Sequence, residues 1–68
     1  MIRKYERGNT TGELADRVRG LVQRGIYPLL FWEPSGLRIV ELDSCYGMWC
    51  VRSDISYEWQ DWMTISAA

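Results

Sequence analysis

"IYPLLFWEPSGLRIVELD", Ile26 to Asp43, decides the fold. It is rich in β-branched and aromatic residues and is interrupted once, at "EPSG". Pro34 fixes φ for the first αR position of a loop, Ser35 tolerates the second, and Gly36 suits an αL third position. The spacing predicts a three-residue hairpin loop, Pro34 to Gly36, joining a strand over 26–33 to a strand over 37–43. Glu33 then pairs with Leu37. Pro28, near the start of the first strand, suits an edge position.

The next stretch, "SCYGMWCVR", repeats the arrangement, with Gly47 standing where Gly36 stood. It predicts a second three-residue loop, Cys45-Tyr46-Gly47, and a third strand from Met48 to Arg52. Three antiparallel strands in a meander follow.

Upstream, "TTGELADRVRGLVQRG" predicts a helix over about 11–24. Thr10 and Glu13 have the capping-box spacing. Leu14, Val18, Leu21 and Val22 fall on one helical face. Glu13 and Arg17 stand at i, i+4 in the favourable order, and Gly25 suits the left-handed position that ends helices. Gly20, inside the helix, costs about 1 kcal/mol relative to Ala, and a close contact with the sheet would account for it. Downstream, "SDISYEWQDWMTISAA" fits either a short helix through Ile55, Trp59, Trp62 and Met63 or a strand through Ile55, Tyr57, Trp59, Met63 and Ile65. Glu58 and Gln60 favour the helix. "MIRKYE" reads as an edge strand or a loose end. The expected fold is α+β in one domain, 1–68: an N-terminal helix packed on a three-stranded antiparallel meander, with a short C-terminal element.

The expected register divides the sheet into two faces. Leu30, Trp32, Val40, Leu42, Met48 and Cys50 form one, which should pack on the helix. Leu29, Phe31, Leu37, Ile39, Trp49 and Val51 form the other. An antiparallel sheet with one wet face should alternate cleanly between apolar and polar residues; this one does not. The second face calls for cover, by the C-terminal segment, by a protein partner, or by self-association.

The cysteines read as structural. Cys50 falls in the expected core and Cys45 in the exposed loop, with no bond between them. A zinc site needs three or four protein ligands, whereas the chain has two cysteines and no histidine. Neither a metal nor a cofactor is expected, and a metal-clipped dimer would need ligands from two copies. Catalytic groups are equally scarce: no histidine base, no nucleophile with a plausible base beside it, and no phosphate-binding glycine loop. Glu41 and Asp43, two apart on one strand, read as a solvated edge.

Charge is uneven although the net is −1. Residues 1–24 carry six basic and three acidic side chains; residues 25–68 carry two basic and six acidic ones. The sheet segments therefore hold the negative half, which disfavours phosphate binding there. The start, "MIRKYERGNTTGE", has no signal-peptide pattern, and no apolar run reaches the roughly 20 residues of a membrane span. Together with two cysteines, this suggests a cytoplasmic, reducing setting and no membrane.

The chain's four tryptophans in 68 residues suit an interface, where large aromatics anchor binding. The expected function is a non-enzymatic protein-binding domain, of the kind phages and mobile elements use to inhibit or modulate a host macromolecule by occupying its surface. The expected contact residues are Phe31, Trp49, Trp59 and Trp62, with Arg17, Arg19 and Arg24 on the helix. The alternative is a small nucleic-acid-binding regulator that stacks bases on sheet aromatics and holds phosphates with the basic helix.

Overall fold

Eleven residues with an apolar stripe make the single helix, α1, Glu13–Gln23, in a computed structural model that describes residues 10–67. The stretch Met1–Glu6, read as an edge strand or a loose end, lies outside the described residues. Leu14, Ala15, Val18 and Leu21 are buried, the i, i+1, i+4, i+7 positions of one face. Val22, expected beside them, is 55% exposed. It lies two turns beyond Ala15 on the same flank, in the last turn of the helix. The capping box does not form. Thr10 belongs instead to a two-residue strand, β1, Thr10–Thr11, and the helix starts after Gly12 with no side-chain cap. The other end is as expected. Gly25 has φ 80°, its N–H donates to the Val22 carbonyl, and the Ile26 N–H donates to that of Leu21. These are the two hydrogen bonds of a Schellman ending.

The sheet is the expected meander in the order β2 (Tyr27–Glu33), β3 (Gly36–Cys45), β4 (Met48–Glu58). Helix and three-stranded antiparallel sheet together form the α+β arrangement. Both loops, however, have two residues and not three. Glu33 pairs with Gly36 around Pro34-Ser35, and Cys45 with Met48 around Tyr46-Gly47. Tyr46 and Gly47 have φ of 51° and 76°, the paired positive values of a type I′ turn, whose twist matches that of the strands. Gly36 is not a left-handed loop residue but a site of close approach. A Cβ placed on it would lie 1.9 Å from the Tyr57 carbonyl oxygen.

A one-residue change of loop length exchanges faces on the partner strand. A bulge adds to this: Glu41 pairs with Ser53 but Leu42 with Val51, so Arg52 is an extra residue in β4. The inner face, towards α1, therefore takes Leu30 from β2, Leu37 and Ile39 from β3, and Ile55 and Tyr57 from β4. Val40 and Leu42, expected inside, lie on the outer face; Leu37 and Ile39, expected outside, are core.

The C-terminal segment divides between the two alternatives the sequence left open, strand first and then a short helical turn. Residues 53–58 continue β4, and a single 3₁₀ turn follows at Asp61–Met63. A two-residue strand, β5 (Ser66–Ala67), then pairs with β1. This return drops Met63, fully buried, into a core of Leu14, Val18, Leu30, Leu37 and Ile39, with Tyr57, Trp62 and Ile65 packed at its margin. The segment therefore covers the inner face beside the helix and leaves the outer face open.

Candidate functional site

The outer face is built by alternation. Tyr27, Leu29 and Phe31 from β2 stand beside Arg38, Val40 and Leu42 from β3, and Trp49, Val51 and Asp54 from β4 follow. Tyr27 and Trp49 flank Leu42 and meet with ring centroids 5.9 Å apart. Phe31 carries the Arg38 guanidinium 5.5 Å from its ring centroid. At the centre Val40 is buried, while Tyr27, Phe31, Trp49 and Val51 around it are 53%, 44%, 58% and 64% exposed. Large side chains thus surround the centre of this face without being covered themselves.

One ion pair crosses it. Arg38 donates from Nε and Nη2 to the two carboxylate oxygens of Asp54, at 2.8 and 2.7 Å. The two-pronged geometry is the strong form of this pair. The hydrogen bond from Arg38 holds the Asp54 carboxyl below its ordinary value, against a smaller opposing push from desolvation, and Asp54 in turn raises Arg38.

β3 and β4 run on past the end of β2, which starts opposite Leu42. Asp43 to Cys50 therefore form a two-stranded arm. Such a ribbon is marginal in water by itself. Here Cys45 and Cys50 are joined by a disulfide, with Cα atoms 5.9 Å apart, a usual separation for the bond. This corrects the expectation of a buried Cys50 and an unbonded Cys45. The two-residue loop puts both cysteines on the inner face, one step from direct opposition, where the three-residue loop would have separated them. Tyr46 at the tip is fully exposed, and Met48 and Trp49 are mostly so.

The expected contact residues do not form one surface. Phe31 and Trp49 share the outer face. Trp59 lies past the end of β4, beside Trp32, with ring centroids 6.3 Å apart. Trp62 belongs to the inner side: it meets Tyr57 edge-on at 5.3 Å, and the Arg17 guanidinium sits 4.1 Å above its ring. Arg17 also pairs with Glu13 at 3.3 Å, and Arg19 pairs with Asp16. Arg24 caps the end of α1. Arg17 and Arg24 line a groove of about 510 Å³ between helix and sheet, but Glu13, Asp16 and Glu41 line it too. The three arginines therefore make no basic face. Tyr27, Val40 and Leu42 are outer-face residues that sequence reasoning missed or placed inside. Pro34-Ser35 taken as a two-residue loop would have placed Val40 and Leu42 beside Tyr27 and Phe31, and Tyr46-Gly47 taken as a two-residue I′ turn would have kept Trp49 and Val51 with them.

Among the described residues no group of three or more His, Cys, Asp or Glu side chains is placed to hold a metal ion, and no helix is long and apolar enough to cross a membrane. Comparison of the chain with protein-family models, curated proteins and solved structures finds no match in any of the three.

Proposed function

We propose that this chain is a non-enzymatic protein-binding module that works by occupying another surface with the outer face of its sheet and the adjoining hairpin arm. One observation carries the reading: Tyr27, Phe31, Trp49 and Val51 remain about half exposed or more on one face, while the helix and the C-terminal return serve the other. Exposed apolar patches of this kind mark interaction sites on small proteins. Trp and Tyr are favoured anchors there, since they bury much area with few rotatable bonds. The bonded cysteines hold the arm in one shape before binding, which lowers the ordering cost of association. They also favour a setting in which disulfides persist over the reducing one suggested by composition.

The outer face supports a protein partner better than a nucleic acid. Its central cation, Arg38, is engaged by Asp54, and phosphate contacts need available cations. The test is capture of partners by the tagged protein with and without nuclease, using wild type, Trp49→Ala and Phe31→Ala. The expected result is a nuclease-resistant partner that both variants lose while keeping a cooperative thermal transition. Binding that disappears with nuclease, or persists in both folded variants, would refute the reading.

A further inference from the structure

We infer that the partner seated on the outer face is a second copy of this chain, the two sheets packing face to face about a two-fold axis. The inference rests on the outer face being the binding surface, and adds the identity of what binds. Charge makes the first argument. In a two-fold interface each patch meets its own copy, so an unbalanced charge at its centre would face itself and repel. The central charges here, Arg38 and Asp54, neutralise each other at 2.7 Å within one chain. The centre of the face, aromatic and aliphatic with an internally cancelled ion pair, is compatible with itself; the acidic Glu33 and Glu58, either side of Gly36 on the same face, lie at its end, away from Tyr27, Val40 and Trp49.

Area makes the second argument. Tyr27, Phe31 and Trp49 are 53%, 44% and 58% exposed. Aromatic side chains bury about 150–250 Å² each, so these three offer roughly 300 Å². Val51 and the partly open Leu29 and Leu42 bring the patch to roughly 500 Å² per copy, or about 1,000 Å² in a pair, the lower end for a specific interface. A reversible dimer follows, not an obligate one. Geometry agrees: two twisted sheets stack about 10 Å apart with their strands nearly aligned, and a second sheet supplies the layer that the outer face of this one lacks.

Sedimentation equilibrium on the oxidised full chain decides the matter, over concentrations of about 5–500 μM, the range in which a small interface dissociates. The expected weight rises from one chain to two. Val51→Asp places a charge on the patch and should hold the weight at one chain throughout. Ser56→Lys does the same from an exposed polar position beside Arg38 in the ladder, where no core contact is lost, so it carries the test if Val51→Asp unfolds. Ile55→Asp, on the inner side of the outermost strand, should dimerise like wild type. A wild-type weight of one chain at every concentration would overturn the inference. So would a block by Ile55→Asp with none by Ser56→Lys, which would place the contact along the β4 edge. If wild type stays monomeric and Trp49→Ala still loses a different captured protein, self-association is refuted while the binding role of the face stands.

Discussion

Alanine at Gly20 and alanine at Gly36 should change stability in opposite directions. Gly20 is in the middle of α1 on the wall of the groove, and a Cβ built on it meets nothing within 4 Å. The substitution removes backbone freedom from the unfolded chain and creates no clash, a gain of about 0.5–1 kcal/mol. Gly36 opens β3 with φ 156°, and its Cβ would fall 1.9 Å from the Tyr57 oxygen and 2.9 Å from the Glu58 carbon and Trp59 nitrogen. These are backbone atoms, so no side chain can swing aside. Relief needs the end of β4 to move by more than an ångström, against the hydrogen bond by which the Trp59 N–H donates to the Ser35 carbonyl at 2.9 Å. Strained backbone costs about 1–3 kcal/mol and a lost hydrogen bond about 1 more, for a total of roughly 2–4 kcal/mol. A chain of 68 residues has about 3–10 kcal/mol to lose. Urea titration followed by circular dichroism and tryptophan fluorescence measures both. With a slope of about 1 kcal/mol/M, the Gly20→Ala midpoint should rise by about 0.5–1 M. Gly36→Ala should lose most of its transition. A fall for Gly20→Ala would mean that the space above the helix is filled. An unchanged midpoint for Gly36→Ala would mean that β3 and β4 do not meet in this register.

Three further outcomes follow from the same contacts. The disulfide closes a loop of six residues, Cys45 to Cys50, so Cys45→Ser with Cys50→Ser should cost about 2 kcal/mol by the chain-entropy account; a matching loss on reducing wild type checks it. Met63→Ala should cost about 2–5 kcal/mol, because Met63 is fully buried. Met48→Ala, on the exposed arm, should stay within about 0.5 kcal/mol in the same titration. Asp54 has a lowered pKa in the folded chain, so its contribution is present above the ordinary Asp value of about 4 and is lost as pH falls below it. Acid unfolding of Asp54→Asn should accordingly be less steep below about pH 4 than that of wild type, and equally steep curves would show that the Arg38 pair adds nothing to folding.

Local chemistry made much of the fold legible in the amino-acid order. The stripe of Leu14, Val18 and Leu21 and the stop at Gly25 depend on residues within two turns of one another, so the helix could be read without knowing its neighbours. The meander could be read as well, since apolar β-formers flank each Pro- or Gly-bearing turn. So could Phe31 and Trp49 of the candidate face, which lie outward in both the expected and the observed registers.

What tertiary structure decided was which strand residue meets which. A Pro34-Ser35 loop of two residues in place of three moved Leu37 and Ile39 inward and Val40 and Leu42 outward, and one extra residue at Arg52 brought Ile55 and Tyr57 to the inner face beside them. Such a slip leaves local sequence signals unchanged and reverses every side chain it reaches. The same pairing drew Ser53–Glu58, a stretch of indifferent propensity, into a strand, because β3 offered a ladder to complete it. Only the completed chain places Trp62 against Tyr57 and Arg17 and Trp59 beside Trp32, away from the face they were expected to share. The same register brings Cys45 and Cys50 within bonding distance across the hairpin, because alternation depends on pairing across strands that no single stretch of sequence contains.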